Sequence, residues 1–86
     1  MMLVLLPGLD GTGILFEPFV AGLPADLRTT IVHYPADRQL NYVELVRHVR
    51  AALPDNHPCV IVAESFSGPI AVSIAAGPPA SLQGVV

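Results

Sequence analysis

The stretch Val60-Ile61-Val62-Ala63-Glu64-Ser65-Phe66-Ser67-Gly68-Pro69-Ile70-Ala71 leaves few folds open to this chain. An apolar run breaks off at small-Glu-Ser-Phe-small-Gly, and an Ala/Ile/Val-rich helical pattern begins at once. A short apolar run bounded by turn residues reads as a buried strand, so this is a strand turning sharply into a helix. Small residues at Ala63 and Ser67 let strand and helix approach closely. A serine on such a turn, Ser65, has its hydroxyl held out at the end of a sheet, with the Phe66 N–H aimed at the same spot.

The rest of the chain repeats this grammar. Met2 to Leu6 is a continuous apolar run ended by Pro7-Gly8, and Gly8 to Gly13 is a glycine loop. Ile14, Leu15, Phe19 and Leu23 fall at near-helical spacing, which Pro18 restricts to a short helix. Arg28 to Tyr34, rich in β-branched residues and stopped by Pro35, predicts a second strand. Asn41 with Glu44 three residues on predicts a capped helix whose apolar stripe is Val43, Val46, Val49 and Leu53, with Leu45 alongside. Cys59 to Ala63 is the third strand, Ser67 to Ala76 the third helix, and Leu82 to Val86 begins a fourth strand. Strands alternating with helices at about 25 residues per unit imply a parallel sheet with right-handed crossovers. The expected fold is therefore α/β, a parallel sheet of about four strands with three crossover helices. The expected strand order is second, first, third, fourth. Ligands of such sheets sit at the carboxyl ends of the strands, where the glycine loop, the His33-Tyr34-Pro35 corner and the Ser65 turn converge.

Eighty-six residues allow one domain, and 52% are apolar against 13% charged. That is about half the usual charged share, and it suits the middle of a larger sheet covered on both faces. A fragment, or a chain that hides apolar surface by oligomerising, is the expectation. A net charge of −3 without a single lysine argues against nucleic acid or an anionic membrane as partner. The lone Cys59 makes no internal disulfide and reads as an inert buried thiol, which suits a reducing cytoplasm. Nothing in the sequence approaches the ~18 apolar residues of a membrane span. No metal or cofactor is expected.

Ser65 has the chemistry and the setting of an acyl-accepting nucleophile, in a nucleophile elbow over residues 63–68 with Ala63 and Ser67 replacing the glycines of G-x-S-x-G. Such a serine also needs oxyanion donors and a base with a group to orient it. The Phe66 N–H is one donor. The loop 7–13 supplies the second, by position the N–H of Leu9, with Asp10 as the alternate. An ordinary helix N-cap explains a lone serine after a strand, and a tight βα loop explains the glycines; the two together in strand context favour the elbow. A dinucleotide loop has the glycines in another order, and a Walker loop needs a lysine.

The pairing of LLPGLDGTG with IVAESFSGPIA resembles the α/β-hydrolase superfamily, in particular its esterase, thioesterase and acyltransferase branch. The intervening IVHYPADRQLNYVELVRHVRAALP and the terminal SLQGVV are similar to the matching stretches of small bacterial members. The resemblance implies a single partial α/β-hydrolase domain over residues 1–86. It implies Ser65 as nucleophile, Leu9 and Phe66 as oxyanion residues, and a small-molecule acyl ester or thioester as substrate. In that superfamily the acid and the histidine follow the serine. None of the 21 residues after Ser65 is Asp, Glu or His. The resemblance thus covers the N-terminal and central half of such a domain, and this chain is expected to be truncated and weakly active or inactive. The alternative is a non-catalytic binding or assembly module that oligomerises through the edge at Val85-Val86 or through uncovered apolar faces.

Upstream stand-ins for the base are few. His33, with Asp37 in the next loop, ends the second strand on the right edge, but two strands away is roughly 10 Å at ~4.8 Å per strand. Glu64 is expected to hydrogen-bond locally rather than to act as base. His48 and His57 are expected to be solvated.

Overall fold

The computed structural model describes residues 1–8, 14–35 and 40–86. It contains a four-stranded, all-parallel sheet in the order β2-β1-β3-β4, formed by β1 (Met2–Leu6), β2 (Arg28–Ile31), β3 (Cys59–Ala63) and β4 (Leu82–Val85). The helices are α1 (Glu17–Ala21), α2 (Tyr42–Ala52) and α3 (Gly68–Ala76); 3-10 turns at Ile14–Phe16 and Ser65–Ser67 lead into α1 and α3. The chain is therefore a small α/β fold with the expected strand order. No described helix is long and apolar enough to cross a membrane.

β1 and β3 are the two inner strands, paired from Met2 with Cys59 to Leu6 with Ala63. Inner parallel strands are covered on both faces and read as unbroken apolar runs, which is how MLVLL and CVIVA are composed. Alternation divides their side chains between the two faces. Val4, Leu6, Cys59 and Ile61 enter the main core with Leu45, Val49 and Leu53 of the α2 region and Ile70, Ala71 and Ile74 of α3. Leu5, fully buried, lies outside that cluster, as does Phe16 of the first 3-10 turn. Burial of one such aliphatic side chain is worth about 1.5–3 kcal/mol, so this cluster is the main source of stability.

The capping box at the start of α2 forms as its sequence predicts. Asn41 Oδ1 accepts from the Glu44 N–H at 2.9 Å, and Glu44 Oε1 accepts from the Asn41 N–H at 3.0 Å. The apolar stripe differs from the expected one, because Val43 is 67% exposed while Leu45, Val49 and Leu53 are buried. Those three recur at i, i+4, i+8 and fix the inward face; Val43 lies two residues before Leu45 and turns away from it.

β2 is shorter than the stretch Arg28 to Tyr34 suggests. Its ladder runs to Ile31 opposite Leu5, and the Val32 N–H then donates to the Leu5 carbonyl at 3.0 Å. Beyond this point β1 ends in Pro7, which has no N–H to offer. The β3–β4 ladder pairs Cys59 with Leu82 but Val60 with Gly84, so Gln83 is the extra residue of a bulge.

Candidate functional site

β3 delivers Ser65 to the carboxyl edge of the sheet, where the chain passes directly into the 3-10 turn Ser65–Ser67 and α3. Ser65 has φ 35°, and among the described residues it is the only non-glycine at positive φ. A side chain in this left-handed region costs about 1–3 kcal/mol and persists where the surroundings impose it. The residue is solvent-exposed. The N-cap of the turn is Glu64, not Ser65, and its side chain makes no capping bond. Ser65 is therefore no ordinary N-cap serine; it is presented to solvent from a strained turn.

Phe66 follows as the second residue of the turn. The first amides of a helical segment have no acceptor behind them within it, so its N–H is left to a capping group or a ligand. The ring is held from α2: Tyr42 stacks on it at 5.3 Å between centroids, and the Tyr42 O–H donates to the Phe66 carbonyl at 3.2 Å. Tyr34 meets the same ring edge-on at 6.2 Å.

Ser67 is completely buried, and its hydroxyl is fully used. It donates to the Pro7 carbonyl at the end of β1. A hydroxyl has one proton to give, so the Tyr34 O–H is the donor in the Tyr34–Ser67 bond. Burial pushes the Tyr34 phenol above its ordinary 10.0, with Tyr42 adding to the rise.

Glu64 reaches across to β1. Its Oε2 accepts from the Gly8 N–H at 3.1 Å, and its own N–H donates to the Leu6 carbonyl at 3.1 Å. The expected hydrogen bond of Glu64 is made, but with a partner 56 residues away rather than a local one. A Cβ on Gly8 would stand 3.1 Å from the Glu64 carboxyl carbon and would push the carboxyl group back by a few tenths of an ångström.

Leu9 and Asp10 lie outside the described residues, as do the rest of the loop 9–13 and Asp37. His33 is exposed just past the end of β2, two strands from Ser65 in the β2-β1-β3 order. Its carbonyl accepts from His48 Nε2 at 2.8 Å. His48 is half-buried and stands edge-on to Tyr34 at 6.2 Å, so it braces the exit of β2 and is not the solvated side chain its position suggests. His57 is exposed before β3, at the sheet's other end. Cys59 is fully buried, with Sγ 3.9 Å from Ser81 Oγ. Among the described residues no group of three or more His, Cys, Asp or Glu is placed to hold a metal.

No protein-family model matches the chain, and neither a curated protein nor a solved structure does. The site rests on its own geometry. Beside the Ser65 turn is an open cleft of about 330 Å³, lined by Phe16, Phe19, Val62, Ala63 and Glu64. Phe16 and Phe19 meet there at 6.4 Å between ring centroids.

Sequence reading passed over two members of this site. Ser67 was legible only as a small residue, and Tyr34 only as part of the corner at the end of the second strand, without a role of its own. The available signal was chemical: a hydroxyl in place of a glycine at a buried turn must find partners. Which partners depends on strands distant in sequence.

Proposed function

We propose that this chain carries the nucleophile-bearing half of an α/β-hydrolase-type serine hydrolase acting on acyl esters or thioesters. The observation that carries the reading is Ser65 itself, exposed at φ 35° between a parallel strand and a helix. In the reaction, Ser65 Oγ bonds to the acyl carbon, its proton passes to a base and on to the departing alcohol or thiol, and water reverses the sequence. The Phe66 N–H and the loop following Gly8 supply the oxyanion donors. The cleft at Phe16 and Phe19 takes an apolar acyl group. Among the described residues neither His33 nor His48 stands beside Ser65, and the reading takes its base from elsewhere. This predicts weak activity at most from residues 1–86, since a serine without a base keeps only what binding and the oxyanion donors give.

A fluorophosphonate probe tests the reading, applied to the purified chain with Ser65→Ala as control. Labelling that vanishes in the variant supports a working nucleophile, and labelling that survives Ser65→Ala counts against it. A second reading, an assembly module, draws on the exposure of Val43, Val72 and Val85. Sedimentation at several concentrations decides that one, because a chain that remains monomeric has no use for those side chains as an interface.

A further inference from the structure

Two of the contacts around Ser65 fall on a single peptide group. The Pro7 carbonyl and the Gly8 N–H belong to the same planar unit. The carbonyl is held by Ser67, two residues after the nucleophile, and the N–H by Glu64, one residue before it. Tyr34 then donates to Ser67 from the exit of β2. We infer that Glu64 and Ser67, backed by Tyr34, are positioning residues that lock the Pro7–Gly8 peptide plane at the exit of β1 to the Ser65 turn.

The physical argument is geometric. A peptide plane gripped on one side still rotates about the axis of that contact; gripped on both sides it has one orientation. Both grips come from residues flanking Ser65, so the Pro7–Gly8 peptide and the nucleophile are referenced to each other rather than separately to the sheet. The Gly8 bond has an ionised acceptor, which makes it stronger than a neutral one. The Pro7 bond is buried, where an unmade partner is costly. A Cβ at Gly8 would press on the Glu64 carboxyl group. The Gly8 N–H is committed to Glu64 and is not itself free as an oxyanion donor. The inference draws on the proposed nucleophile only for its effect on rate; the clamp itself is a statement about Pro7 and Gly8.

The test is amide hydrogen exchange by NMR on the whole chain, paired with fluorophosphonate labelling at saturating probe. In wild type the Gly8 N–H is expected to be protected. Glu64→Ala is expected to speed its exchange about tenfold or more, with Glu64→Gln, which keeps an acceptor oxygen, in between. Ser67→Ala shifts it in the same direction. The Cys59 N–H, bonded to the Ser81 carbonyl, reports whether the fold is intact and is expected to hold steady in all three variants. Where Ser65 labels, Glu64→Ala lowers the saturating rate and leaves probe affinity alone. An unprotected Gly8 N–H in wild type overturns the inference, as does a protection indifferent to Glu64→Ala in a folded protein. Absence of labelling in every protein leaves the clamp to be decided by the exchange comparison alone, which does not depend on the nucleophile.

Discussion

At Ser65 the backbone holds a side chain where glycine is preferred, at φ 35°. Ser65→Gly relieves that strain but loosens the unfolded chain. The expected net result is a gain of about 1 kcal/mol, read as a higher urea midpoint, with probe labelling abolished. A variant no more stable than wild type would show that the strain at Ser65 does not exceed the entropy cost of glycine. Tyr34 gives a second prediction. Its phenol is raised in the folded state by burial, so folding holds the proton more tightly than the unfolded chain does. The associated stability is full below the unfolded value near 10.0 and is lost as pH rises through the higher folded value. Tyr34→Phe should flatten this alkaline fall in denaturation midpoints. If both proteins decline in parallel, the phenol is not the titrating group.

Helix α2 shows how element-level logic connects to the site. Its start is fixed by the Asn41–Glu44 box, and its first residue, Tyr42, holds Phe66. Asn41→Ala is expected to cost about 1 kcal/mol, measurable by urea unfolding, and to loosen Tyr42 from Phe66. The extents of β1 and β3 and the capped start of α2 were legible in the sequence, because apolar runs, glycine-proline stops and capping residues act over a few residues. β2 was read three residues too long. Its β-branched run Ile31-Val32 continues toward Tyr34, but an edge strand stops where its neighbour's hydrogen bonds do, and that neighbour ends at Pro7. Val43 was misplaced for a related reason. Helical spacing offers several overlapping stripes, and packing against the sheet selects the one through Leu45, Val49 and Leu53.

For the whole molecule the decisive quantity is how little stability an 86-residue chain has. At 0.05–0.15 kcal/mol per residue the total is about 4–13 kcal/mol. Ile61 lies on β3 between β1 and β4 and is fully buried. Ile61→Ala is expected to cost about 2–5 kcal/mol, leaving a protein near its unfolding midpoint under mild denaturant. Circular dichroism in urea measures this, and a loss below about 1 kcal/mol would mean the core cluster is not the main support. The sequence by itself determined the alternation of strands and helices, the parallel sheet and the turn that carries Ser65. Each is written in local periodicity and turn residues, which need no knowledge of distant partners. Only the tertiary structure decided that Glu64 bonds to Gly8, that Ser67 joins Pro7 to Tyr34, and that His48 braces His33. Those pairings depend on which strand exits lie side by side, and that is set by packing the whole sheet rather than by any one segment.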